Sequence, residues 1–86
     1  MTTVEADKLL KEREESVVFA DGLEEAFIGI GYQFHEPIAI YSQKKAIQCL
    51  KKQGMSESEA IEYYDYNIAG SYVGENTPIF LDDLDQ

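Results

Sequence analysis

The sequence predicts an α+β domain: a small antiparallel sheet of three or four strands, a helical pair (about 43–53 and 57–69) on one face, and a short N-terminal helix. Three observations predict it. Ala26–Phe34 alternates at period two, with Ala26, Ile28, Ile30, Tyr32 and Phe34 on one side and Phe27, Gly29, Gly31 and Gln33 on the other. Two later stretches carry apolar residues at helical spacing behind clear capping residues. Eighty-six residues make one domain, 1–86, and no repeat or linker divides them.

In chain order, Thr2-x-x-Glu5 is a capping box, and Val4, Leu9 and Leu10 give the helix over 3–14 a thin apolar stripe. Ser16–Ala20 is β-branched and aromatic and reads as a strand, and Asp21-Gly22 marks a turn. His35-Glu36-Pro37 breaks the central strand, after which Ile38–Tyr41 makes a short third one. Ser42 caps a helix over 43–53, with Ala46, Ile47 and Leu50 inward and Lys44, Lys45, Lys51 and Lys52 outward. Gly54 is placed to end it in a left-handed conformation. Ser56-x-x-Glu59 is a second capping box, Met55 staples onto Ala60, and Ala60, Ile61, Tyr64 and Ile68 form the buried stripe up to Gly70. Gly74–Pro78 is a turn, Ile79–Leu81 the last strand, and 82–86 a flexible acidic tail. Helices over one sheet face are the simplest two-layer arrangement of this order.

Charge narrows the function. Seventeen acidic residues against seven basic ones give a net charge of −10, and no Lys or Arg follows Lys52. A phosphate backbone is repelled by such a surface, so direct nucleic-acid binding is disfavoured. Solubility alone is the favoured account of the acids, ahead of attraction to a basic groove on another protein. No stretch approaches the roughly 20 apolar residues of a membrane span, and the first residues are too charged for a signal peptide. The single cysteine, Cys49, excludes an intrachain disulfide, and a cytoplasmic setting is expected.

No catalytic constellation is legible. Gly29-x-Gly31 is followed by more strand rather than by the third glycine and helix of a dinucleotide site. His35 is the only histidine and has no partner at metal-ligand spacing. Cys49, on the edge of its helix, reads as a partly buried structural thiol. The carboxylates are too many to be diagnostic, and Asp82-x-x-Asp85 lacks the spacing and glycine of a calcium loop. The sequence therefore reads as a non-enzyme with no catalytic residue, metal or cofactor.

The tyrosines are more informative. Tyr63 and Tyr66 fall off the buried stripe among Glu59, Glu62 and Asp65, and Tyr72 and Glu75 follow. Tyrosine is enriched at interface hot spots, and carboxylates can stand where phosphates would in a basic groove. These seven residues are the candidate partner-binding set, for a protein with a basic surface. An alternative site is a flat strip at Gly29 and Gly31 which, with Lys44 and Lys45, would hold a small anion or nucleotide. A third reading sets the lysine helix of one copy against the acidic helix of another, as a structural homo-oligomer.

Read together, ADGLEEAFIGIG, IAIYSQKKAIQCL and GMSESEAIEYYDYNIAGSYVGENTPIF resemble a group of short acidic proteins of tailed bacteriophages and prophages. Their pattern is GM-x-x-EEA-x-EY followed by YN-x-x-G-x-YVGE-x-TP-x-F, and the resemblance spans residues 17–81, most specifically 54–80. It implies a setting rather than a chemistry: a small protein that binds, and in some cases inhibits, a host protein of defence or transcription inside the bacterium. No functional residue is carried over from it.

Overall fold

The computed structural model describes residues 2–69, 74 and 76–83. Helix α1 spans Thr3–Glu12 behind the expected capping box: Thr2 Oγ1 accepts from Glu5 N at 3.2 Å and Glu5 Oε1 from Thr2 N at 3.0 Å. It ends before Glu14, whose φ of 58° is incompatible with a right-handed helix. Ala6 and Leu10 are its buried residues.

Ser16–Ala20 is not a strand. The run continues without helix, turn or bend, yet no ladder joins it to the sheet. Its composition favours strand, but a strand exists only where a neighbour supplies the opposite hydrogen bonds, and composition does not supply a neighbour. The Asp21-Gly22 turn is present, with Gly22 at φ 86°, followed by a single 3₁₀ turn over Glu24–Ala26.

The sheet has the order β1-β2-β3, with β1 Phe27–Gln33, β2 Glu36–Ser42 and β3 Ile79–Leu81. The α+β class is as the sequence predicts, but the sheet is mixed. β1 and β2 are antiparallel, whereas β3 runs parallel to β2 because two helices intervene and carry the chain back to its starting end. The β1 register slips between Phe27 and Gly29, which leaves Ile28 as a bulge residue and changes the phase of the alternation. Phe27 opposes Tyr41 and Ile30 opposes Ala39, all on the core face, while Ile28 is 44% exposed. The single period-two face expected over 26–34 is therefore split.

β2 begins at Glu36, so Glu36-Pro37 is strand rather than a break. Gln33 and Glu36 pair directly, leaving Phe34 and His35 as a two-residue turn with φ of 52° and 68°. Two positive φ values match the twist of a hairpin but suit Asn-Gly, not residues with bulky side chains. Phe34, 89% exposed, gains no packing in return. Replacing Phe34→Asn together with His35→Gly should raise the unfolding free energy by about 1–2 kcal/mol, the cost of left-handed backbone for such residues. Urea denaturation measures it; an unchanged midpoint would show that this turn is unstrained.

Helix α2, Gln43–Lys52, is capped by Ser42, whose Oγ accepts from Lys45 N at 3.0 Å. It closes as expected at Gly54, φ 107°. Gly54 N donates to Lys51 O and Met55 N to Leu50 O, the paired bonds of a Schellman end. Helix α3, Glu57–Tyr63, starts at the Ser56/Glu59 box and then widens into a π turn over Tyr64–Ile68, closed by Ala69 N to Tyr64 O at 2.9 Å. Ala60 and Tyr64 are buried and Ile68 packs against the core, but Ile61 is 44% exposed and drops out of the expected stripe.

α2 and α3 cover the core face together, and Ala46, Ile47, Cys49, Leu50, Ala60 and Tyr64 meet Phe27, Ala39 and Tyr41 there. Rings chain through this core from Phe19 to Phe27 (5.8 Å), Tyr41 (5.6 Å), Phe80 (5.3 Å) and Tyr64 (5.7 Å). Cys49 is buried, and burial pushes its thiol above the ordinary range, away from nucleophilic use.

Candidate functional site

The outer side of α3 is set by the capping box and the π turn. The box fixes where the helix begins, so Glu59 and Glu62 emerge one turn apart on the side away from Ala60 and Tyr64. The π turn then inserts extra arc before Ile68, which keeps Tyr64 inward and leaves Tyr66 80% exposed. Asn67 Nδ2 donates back to Tyr63 O at 3.3 Å, engaging a carbonyl near the wider turn.

Four of the sequence-predicted residues, Glu59, Glu62, Tyr63 and Tyr66, line one shallow depression with Met55 and Asn67. Its lining contains two carboxylates and no cation. Tyr63 is 44% exposed, so both tyrosines of the lining are open to solvent. Asp65 is exposed on the same turn but does not line the depression. Tyr72 and Glu75 lie outside the described residues.

Glu59 is not a free surface charge. Its Oε1 accepts from Ser56 N at 2.9 Å, and this hydrogen bond holds its carboxyl below the usual range. Asp83 behaves alike at α2, although the sequence places it in a flexible tail. It accepts from Ser42 Oγ and, at 2.9 Å, from Lys44 N, and these bonds lower its carboxyl in the same way.

The alternative strip does not assemble. The hollow beside Gly29 is walled by α1 through Ala6, Leu9, Leu10 and Arg13, and Lys44 and Lys45 do not line it. Arg13 is its one cation and already donates to Tyr32 Oη at 3.3 Å, which in turn donates to Glu15. Gly31 offers no flat ground either, because the end of the Ile40 side chain lies 2.7 Å from where a Cβ would sit. Lys44 and Lys45 instead give their backbone N–H groups to Asp83 and Ser42 at the start of α2.

No protein family, curated protein or solved structure matches the chain.

One further concavity was not foreseen from the sequence. A groove of about 260 Å³ is lined by Val18–Leu23 together with Thr77, Pro78 and Phe80, with Leu50 and Ile68 as apolar and Gln53 and Asn67 as polar points. Tyr63 and Asn67 border both this groove and the acidic depression. The one signal was the strand-like Ser16–Ala20 itself, since an unpaired run of this kind makes a groove wall. Among the described residues, no three His, Cys, Asp or Glu side chains group as metal ligands, and no helix is long and apolar enough to cross a membrane.

Proposed function

We propose that this chain is a non-enzymatic, phage-type protein that binds a host protein in the bacterial cytoplasm through the acidic, tyrosine-bearing face of α3. One observation carries the reading: Tyr63 and Tyr66 stand exposed around a depression lined by Glu59 and Glu62 and by no cation. Aromatic rings that keep a polar tip in water are favoured anchors of interfaces, and surrounding carboxylates select a basic partner and steer it in. A nucleic-acid enzyme of host defence or transcription fits this chemistry, with the face occupying its basic groove as a nucleic-acid mimic. The charge of −10 supports the same choice.

Affinity capture from bacterial lysate, followed by titration of each captured protein, tests the proposal. Tyr66→Ala should weaken binding by about 2 kcal/mol or more, the size of a hot spot, chiefly through faster dissociation. Glu62→Gln with Asp65→Asn should slow association and flatten its salt dependence. Glu59 is left intact because it caps α3. If every captured protein binds both variants as it binds the wild type, the face is only a solvated surface and the proposal fails.

A further inference from the structure

The run Ser16–Ala20 has the composition of a strand and the backbone of an unpaired one. Among the described residues, no hydrogen bond engages the main chain of Val17, Val18 or Phe19. The run is nevertheless held in place. Phe19 ends the chain of core rings, Ala20 N donates to Tyr41 Oη at 2.8 Å, and Ala20 O accepts from Leu23 N at 3.3 Å. A fixed row of open donors and acceptors beside a groove is what an incoming strand requires, and its ordering cost is already met on this side.

From this we infer that Ser16–Ala20 is a docking strand that takes up an extended peptide by main-chain pairing, the peptide having alternating apolar residues between basic ends. The groove along Val18–Ala20 supplies the apolar side through Leu50, Ile68 and Phe80. On its other side the run borders a shallower hollow against α1, in which Asp7, Asp21 and Glu24 are the charged residues; Asp7 also pairs with Lys11 at 3.0 Å. Glu15 stands at the head of the run and Asp21 at its end. A second copy is the wrong occupant. Two-fold antiparallel pairing centred on Val18 would set Glu15 opposite Asp21 at both ends, and directly opposed like charges are unfavourable. A strand with Lys or Arg at its ends turns the same positions into attractions. This is strand addition as peptide-recognition domains use it, with main-chain bonds giving affinity and alternate side chains giving choice.

The inference goes beyond the acidic face of α3, since Glu62, Asp65 and Tyr66 do not line the groove. The probe is a dye-labelled Lys-Val-Thr-Val-Thr-Val-Lys peptide, read by fluorescence anisotropy, with amide hydrogen exchange followed in the full chain. Saturable binding is expected, with new protection at the Val17, Val18 or Phe19 amides. The same peptide N-methylated on all its valines and threonines should lose binding, because it keeps every side chain but neither edge can pair. Glu in place of both Lys should weaken binding by roughly tenfold or more. Tyr66→Ala, and Glu62→Gln with Asp65→Asn, should bind the probe as the wild type does, so failure here and failure of the α3 face remain distinguishable. The inference is overturned by absent binding, by protection confined to other amides, or by equal binding of the N-methylated peptide. It is overturned also if sedimentation shows the chain alone to be a dimer that Val18→Pro dissolves, since the occupant would then be a second copy.

Discussion

Tyr41→Ala should cost this domain about 3–5 kcal/mol of stability, as for other buried aromatic-to-alanine changes. Tyr41 is fully buried at the middle of the ring chain, stacked on Phe80 at 5.3 Å and meeting Phe27 edge-on at 5.6 Å. Its hydroxyl also accepts the Ala20 N–H at 2.8 Å, so truncation empties the core and strips a partner from the 16–20 run together. A chain of this length has a total stability of roughly 4–13 kcal/mol, which makes such a loss decisive. Tyr41→Phe separates the two roles: the rings remain, and only the hydrogen bond, about 1 kcal/mol, is lost. Urea denaturation followed by circular dichroism gives both values, and hydrogen exchange at Ala20 reports the second locally. A Tyr41→Ala loss below about 1 kcal/mol would mean that the ring chain is not the centre of the core.

The parts of this fold that were legible in the sequence are those fixed by local chemistry. The two capping boxes, the Ser42 cap, the Gly54 end and the Asp21-Gly22 turn each depend on residues within a few positions, and each is where its motif places it. What was misread depends on residues far away. Whether Ser16–Ala20 pairs is decided by which strand comes to lie beside it in the fold, and whether β3 runs parallel by the route of two helices. The Ile28 bulge and the π turn are single-residue insertions into regular elements, and periodicity counts straight through both. Phe34-His35 was misread for the opposite reason: its residue types argue against the turn that they make.

The candidate face was legible for the same local reason, since the Ser56 cap sets the phase of α3 and with it the outward positions of Glu62 and Tyr66. The sequence could not tell which carboxylates are free. Glu5, Glu59 and Asp83 each accept hydrogen bonds at a helix start, and Glu25 pairs with Lys52 at 2.6 Å. Part of the acidity thus builds the fold, and net charge alone overstates what is left to attract a partner. That is why the α3 face is argued from Tyr66, Tyr63 and Glu62 rather than from the number of acids.

The other large effect lies in the helix pair, where Leu50→Ala should cost about 2–5 kcal/mol and Ile61→Ala under about 1 kcal/mol. Helical periodicity alone treats the two as equals, each lying on the apolar stripe of its helix. The structure does not. Leu50 is 3% exposed, joins the central core, and its carbonyl accepts the Met55 N–H that closes α2. Ile61 is 44% exposed, because the stripe narrows to Ala60 and Tyr64 as α3 passes into the π turn. Truncating Leu50 opens a cavity between α2 and the sheet that neighbouring rings cannot fill without leaving their contacts. Truncating Ile61 removes surface that water already reaches, so little transfer free energy is lost. Parallel urea titrations of the two variants decide the matter. Equal losses would mean that α3 is regular and turned inward at Ile61, and the outward positions assigned to Glu62 and Tyr66 would then have to move with it.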